Sequence, residues 1–178
     1  MAFTFNVPAG ETIAREMLIA YLNTGTEASP VWSPIGKRVE DSSMELDWSE
    51  ESKKDILGNT YTTMKKPIVT QSFDPWELEG GDPAQEKILE LAFVDQNAQA
   101  LSNMDMLIGH WYLTDKGSAA ASFAERYKSC MVKPNNLGGE GGGNLGMGID
   151  VTYGGERSTG TITKSGGSVS FSAGGEDY

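Results

Sequence analysis

The sequence predicts a mainly β protein, a β-sandwich or barrel of antiparallel strands carrying one flanking α-helix, a long hairpin loop and extended terminal arms. Three observations carry this. Short segments with β-branched and aromatic content or period-2 alternation recur along the 178 residues, bounded by turn residues that include 22 glycines, well above the roughly 7% average usage. Only one segment combines helical spacing of apolar residues with a cap. No repeat of fixed period is visible, which disfavours a solenoid or propeller. The length suits one hydrophobic core, so residues 1–178 are read as a single domain.

Residues 1–16, with Pro8, read as an N-terminal arm. Met17 to Leu22 is strand-like and Asn23-Thr24-Gly25 closes it with turn chemistry. From Ala28 to Val39, Pro30, Pro34 and Gly36 interrupt Val31, Trp32 and Ile35, giving an irregular or edge strand. Met44, Leu46 and Trp48 then alternate with Glu45, Asp47 and Ser49, so one face is apolar and the other charged. Lys53 to Leu57 and Thr60 to Met64 flank Gly58-Asn59, which predicts a hairpin with a two-residue connection, because glycine supplies positive φ. Lys65-Lys66-Pro67 leads into a strand from Ile68 to Phe73.

The helix is expected over 82–97. Asp82 offers an N-cap, Pro83 suits the first helical position, and Gln85 can complete a capping-box-like pair. Ile88 stacks on Ala92 and Leu89 on Phe93, a narrow stripe for packing on a sheet. Met104 to Leu113 is almost continuously apolar and reads as a buried strand. Phe123 to Val132 follows, with Pro134-Asn135-Asn136 expected to end it, and Gly138 to Gly146 is expected to be a glycine-rich loop. Met147, Ile149, Val151 and Tyr153 alternate with Gly148, Asp150 and Thr152 as a half-buried strand. Thr159–Thr163 and Ser168–Ser172 make a second hairpin through Ser165-Gly166-Gly167, before a polar tail over 173–178.

Chemistry is sparse. Cys130 is the only cysteine and His110 the only histidine, which excludes an intrachain disulfide and the usual multi-Cys/His zinc sites. His110 lies in an apolar run and reads as a satisfied core histidine, and Cys130 as a small buried hydrophobe. Gly141, Gly143 and Gly146 match a dinucleotide fingerprint in letters, but a strand rather than a helix follows and no Walker lysine is present. The acids from Asp74 to Glu90 lack the order of a calcium loop and read as a solvated face. Trp48, Trp76, Trp111 and Tyr61 would suit a sugar platform only if the fold gathered them. No catalytic, cofactor-binding or metal-binding residue is assigned. With 25 acidic against 14 basic side chains, the net charge of −11 disfavours phosphate-driven nucleic-acid binding. No apolar run of membrane-spanning length or secretory leader is read, so the expected site of synthesis is the cytosol.

Four stretches carry a resemblance: the acidic strand and hairpin Met44–Leu78, the capped helix Gly81–Asn97, the strand Met104–Leu113, and the glycine-rich passage into Gly146–Thr163. Together these resemble, in arrangement and texture, the major tail tube proteins of long-tailed bacteriophages and phage-tail-like particles. The resemblance implies a β-sandwich or barrel with a flanking helix, forming hexameric rings that stack into a hollow tube through which the genome passes. It implies a protein resident in the virion tail, assembled in the host cytoplasm, with copies of itself and the tape-measure, tail-terminator and initiator proteins as partners. It implies that DNA passes without specific binding. It also places residues 37–66 as a long loop against a neighbouring subunit.

The residues that would then matter are Trp48, Lys53, Lys54, Leu57, Gly58, Asn59 and Tyr61 at subunit contacts, and Glu45, Asp47, Asp105 and Asp150 as charges facing the bore. A β-sandwich carbohydrate-binding or adhesive module shares the strands and aromatics and is the alternative.

Overall fold

The computed structural model describes residues 2–174, and they form a mainly antiparallel β fold. In chain order the strands are β1 (Phe3–Phe5), β2 (Leu18–Asn23), β3 (Trp32–Ile35), β4 (Met44–Asp47), β5 (Glu50–Lys54), β6 (Thr60–Met64) and β7 (Ile68–Glu77). After the helical segment come β8 (Met104–Asp115), β9 (Ser118–Gly138), β10 (Gly146–Tyr153), β11 (Arg157–Ser165) and β12 (Ser168–Ala173).

The long strand β9 organises the molecule. One edge of its first half pairs with β8, from Met104↔Cys130 to Asp115↔Ser118. The opposite edge carries β11 over Arg157↔Tyr127 to Ile162↔Ser122, and then β10 over Thr152↔Met131 to Gly146↔Gly138. Because β11 continues to β12 while β10 continues to β7 and β4, β9 belongs to two layers: β3-β2-β8-β9-β11-β12 and β9-β10-β7-β4. The main core lies between them. It includes Leu22, Met106 and Ile108 from the first layer and Phe73, Trp76, Met147 and Ile149 from the second, with Ile88 from the helix. Fully burying a side chain of this size contributes about 1.5–3 kcal/mol. A smaller cluster of Tyr21, Trp32, Leu107, Ala124 and Ile162 occupies the other face of the first layer.

Several elements depart from the sequence expectations for identifiable reasons. The strand through Phe123 does not end at Pro134. Past Cys130 the β8 ladder has stopped, and the ladder with β10 shifts register between Gly148 and Ile149, opposite Pro134, so the missing amide falls at an irregularity that tolerates it. The helix expected over 82–97 is two pieces, α1 (Pro83–Leu89) and a wider π turn over Glu90–Val94, and a separate short helix α2 (Ala98–Leu101) follows beyond it. Asp82 does cap α1, accepting from the Ala84 and Gln85 amides at 3.0 and 3.2 Å. Gln85 makes no reciprocal capping bond. Its side chain turns to the strand, donating to the Glu77 carbonyl at 2.7 Å and accepting from the Glu79 amide at 2.8 Å, which ties α1 to the end of β7.

The arm expected over 1–16 is partly docked, since Phe3–Phe5 pair with Leu113–Asp115 of β8. The expected tail over 173–178 begins inside β12 at Ala173, and its residues 175–178 lie outside the described residues. The second hairpin turns at Gly166 and Gly167, both at positive φ (56° and 85°), as a tight turn between twisted strands requires.

Candidate assembly interface

The segment 37–66 divides in two. Its first strand, β4, is part of the sheet, paired with β7 from Met44↔Gln71 to Asp47↔Ile68. Beyond it Ser49 takes a positive φ of 44°, held by its amide donating to Asp47 Oδ1 at 3.0 Å, while Lys65 N–H donates to the Trp48 carbonyl at 3.0 Å. The two-stranded ribbon therefore continues past the sheet edge with a kink. Among the described residues β5 and β6 pair only with each other, from Glu50↔Met64 to Lys54↔Thr60, and every one of their residues is exposed. At about 3.3 Å per residue the ribbon reaches roughly 20 Å beyond the kink.

The hairpin connection is 55–59, longer than the two residues expected. Asp55 is the reason: its carboxylate accepts from the Leu57 and Asn59 amides at 2.9 and 2.8 Å and from Asn59 Nδ2 at 3.1 Å, organising a five-residue loop with Gly58 at φ 85°. The Asn59 side chain and backbone contacts hold the Asp55 carboxyl below its ordinary value. The loop presents Ile56 at 102% and Leu57 at 81% exposure, with Tyr61 and Met64 exposed further down.

The apolar face of β4 is also unpartnered. Met44 packs at the edge of the core, but Leu46 and Trp48 run past the opposing layer and stay exposed at 51% and 44%. They form one wall of an open groove of about 1070 Å³ between the layers, with Leu18, Pro67 and Tyr112 also lining it. At its floor, His110 makes two hydrogen bonds, Nδ1 with the Tyr112 hydroxyl at 2.8 Å and Nε2 with Glu125 Oε2 at 3.0 Å. Arg157 Nε donates to Glu125 Oε1 at 2.8 Å, and its Nη2 contacts the same oxygen. Burial pushes the Glu125 carboxyl up, but the hydrogen bonds from His110 and Arg157 and the Arg157 charge outweigh it and hold the group below its ordinary value. His110 is thus satisfied, at a groove floor rather than deep in the core.

The charged candidates separate by face. On the sheet β9-β10-β7-β4, Glu45 and Asp47 stand opposite Thr70 and Ile68, and Asp150 opposite Ser72, so all three occupy the face turned away from the core, with Asp74. Asp150 accepts from Ser72 Oγ and Asn135 Nδ2, both at 2.7 Å, which holds its carboxyl below the ordinary value, and Lys133 lies 3.7 Å away. Asp105 does not join them. It lies in the other layer, half-buried, and both its oxygens accept from Arg126, at 2.9 and 2.7 Å. Its charge is paired internally, so it stands apart from the three on the outer face of the other sheet.

Of the contact candidates, Leu57, Gly58 and Asn59 form the hairpin tip, Lys53, Lys54 and Tyr61 its shaft, and Trp48 its base. Lys53 is engaged 3.1 Å from Glu51 of its own strand. The four aromatic residues considered for a sugar platform do not converge. Trp76 is fully buried, Trp111 donates to the Tyr21 hydroxyl at 3.0 Å, and Trp48 and Tyr61 sit at different levels of the ribbon. Cys130 is buried, and burial pushes its thiol up to about 12, so it is an inert packing group. Among the described residues no group of three or more His, Cys, Asp and Glu is placed to hold a metal ion, and no helix is long and apolar enough to cross a membrane.

The cluster His110, Glu125 and Arg157 was not found from the sequence. Its members are far apart in the chain and meet only through the β8-β9-β11 register, which sets Ile108 opposite Glu125 and Tyr127 opposite Arg157.

No protein-family model and no curated protein matches the sequence. Solved structures with a partly similar course of chain come from extracellular contractile injection systems and the anti-feeding prophage. One is from the sheath-tube complex of an extracellular contractile injection system in the extended state, with a TM-score of 0.48 and 11% identity over 85% of this chain and 93% of that one. A second is the tube-terminating cap of the anti-feeding prophage, with a TM-score of 0.47 and 11% identity over 89% and 96%. A third is from the sheath/tube terminator of an extracellular contractile injection system, with a TM-score of 0.48 and 12% identity over 85% and 99%. At these identities and scores, the functional reading rests on this chain's own residues.

Proposed function

We propose that the protein is a structural, non-enzymatic subunit that assembles with copies of itself into stacked rings, forming the tube of a phage tail or a related particle. The observation that carries this reading is the β5–β6 hairpin, a two-stranded ribbon with no layer packed on it and an apolar tip in solvent. A lone hairpin is marginal in water, because two strands cannot bury enough surface to offset the entropy of ordering them. A surface on another molecule supplies what the chain itself does not.

The sheet β9-β10-β7-β4 supports a ring. β4 and the 131–138 half of β9 stand at its two ends, and each has a ladder partner on one edge only. Joining the β4 edge of one copy to the β9 edge of the next is a head-to-tail contact, which closes into a ring when the rotation closes. A stable interface of this kind exceeds about 1,000 Å². The face bearing Glu45, Asp47 and Asp150 then lines the bore, where carboxylates repel passing DNA instead of gripping it. Six copies per ring, ejection of a genome through the bore, and contacts with tape-measure, terminator and initiator proteins follow from the resemblance to tail tube proteins, as does residence in the particle's tail after assembly in the host cytoplasm. Trp48, Lys53, Lys54, Leu57, Gly58, Asn59 and Tyr61 are assigned to contacts between subunits.

Negative-stain microscopy of the purified full chain tests the reading. Rings or hollow tubes are expected, and replacing 50–64 by a short linker is expected to leave a folded monomer that no longer polymerises. Dispersed monomers of the intact chain at high concentration, or normal tubes from the shortened one, overturn it.

A further inference from the structure

The groove at the base of the hairpin has the size and chemistry of a seat, and none of the described residues fills it. Its volume of about 1070 Å³ lies just above the range of about 300–1,000 Å³ typical of cavities that enclose a sizeable ligand. Its walls are apolar, with Leu46, Trp48 and Tyr112 among them. Its charged lining is cationic, Arg15, Lys66 and Arg157 against the single acid Glu125, in a protein whose net charge is −11.

The hairpin tip carries the complementary set. Asp55, Ile56 and Leu57 offer one carboxylate beside two aliphatic side chains, and the Asn59 contacts that hold the Asp55 carboxyl low keep it ionised. A tip cannot reach its own groove, because the ribbon leaves the groove rim at Trp48 and Lys66 and its end is fully in solvent. We propose that this groove is the seat for the hairpin tip of a second copy, with Ile56 and Leu57 entering between the apolar walls and Asp55 turned to the cationic side. This deepens the assembly reading and rests on it. Each molecule donates one tip and accepts one, so the contact is head-to-tail and runs in a single direction around a ring or from one ring to the next.

The directionality supplies the test. A tip variant, Ile56→Asp with Leu57→Asp, keeps its groove intact, and both positions are too exposed to disturb the fold. A groove variant, Leu46→Asp, keeps its tip intact, and Trp48→Asp serves as an independent second groove variant because both side chains are half-exposed. Light scattering after size exclusion, on full chains whose thermal melts match the parent, is expected to show that neither variant alone polymerises as the parent does. An equimolar mixture of a tip and a groove variant is expected to give a larger molar mass than either variant alone, because one intact tip then meets one intact groove. If the parent polymerises while the mixture gains no mass over the single variants, or the tip variant polymerises like the parent, the groove is not the seat and the assembly reading stands on sheet edges alone. If the parent never associates, both readings fall together.

Discussion

Glu125 concentrates more electrostatic work than any other side chain at the groove. Its carboxyl is only 12% exposed and is shared between His110 on β8 and Arg157 on β11, so it ties three strands at the groove floor. Because its folded-state value lies below the ordinary glutamate value of about 4.3, the group favours the folded state fully above that pH. The contribution is lost as the pH falls through the lower folded value. Glu125→Gln keeps the shape but removes the charge, leaving the Arg157 guanidinium with a weaker acceptor. Arg157 is half-exposed and water can replace part of what is lost, so the expected cost at pH 7 is at the low end of the range for charged hydrogen bonds, about 1–2 kcal/mol. That is a fall in melting temperature of roughly 2–8 °C for a chain of this size. The variant is also expected to lose less stability than the parent between pH 6 and pH 3, read by thermal melts across that range. An unchanged pH slope would remove Glu125 from the group that sets acid stability.

At the level of elements, what could be read from the chain was whatever local chemistry decides. The Asp82-Pro83 cap, the Gly166-Gly167 turn and the alternation of Met147 to Tyr153 all appear where local rules put them. Features set by distant partners were not legible. Pro134 is passed because the neighbouring ladder has ended and the register shifts there, and Gln85 abandons the cap because the end of β7 offers two backbone partners. Alternation of Met44, Leu46 and Trp48 correctly signals a two-faced strand, but a period of two says nothing about whether a second layer covers the apolar face. Here the cover stops short of Leu46 and Trp48. The hairpin itself predicts a measurable contrast. In the monomer, amides of β5 and β6 are expected to exchange hydrogen with opening free energies near zero, since no layer protects them, while those of β8, paired on both sides and buried, exchange near the global limit. Assembly is expected to slow exchange at β5 and β6 selectively. Protection of the hairpin already present in dilute monomer would mean the ribbon is stable alone, and its need for a partner would disappear.

For the whole molecule, the decisive quantity is a net charge of −11 on a unit proposed to pack against its own copies. Two like charges about 10 Å apart in water repel by only roughly 0.4 kcal/mol, but a ring repeats each pair and stacking repeats each ring. Attraction must therefore come from apolar surface and strand edges, and Ile56, Leu57, Leu46 and Trp48 are among the exposed apolar residues. The one favourable charge contact proposed, Asp55 at the cationic groove, is outnumbered. Salt then acts with a definite sign, because raising it from about 0.1 M to 1 M shortens the screening length from about 10 Å to about 3 Å and weakens repulsion, while apolar contact is left intact. The critical concentration for assembly, followed by sedimentation, is expected to fall as salt rises. Replacing three of the acids of the outer sheet face, Glu45→Gln, Asp47→Asn and Asp150→Asn, changes the charge from −11 by three to −8 and is expected to lower the critical concentration most at low salt, with the two proteins converging at high salt. If salt dissolves the assemblies instead, ion pairs between copies hold them together, and the acids on that face serve as contacts rather than as the lining of a bore.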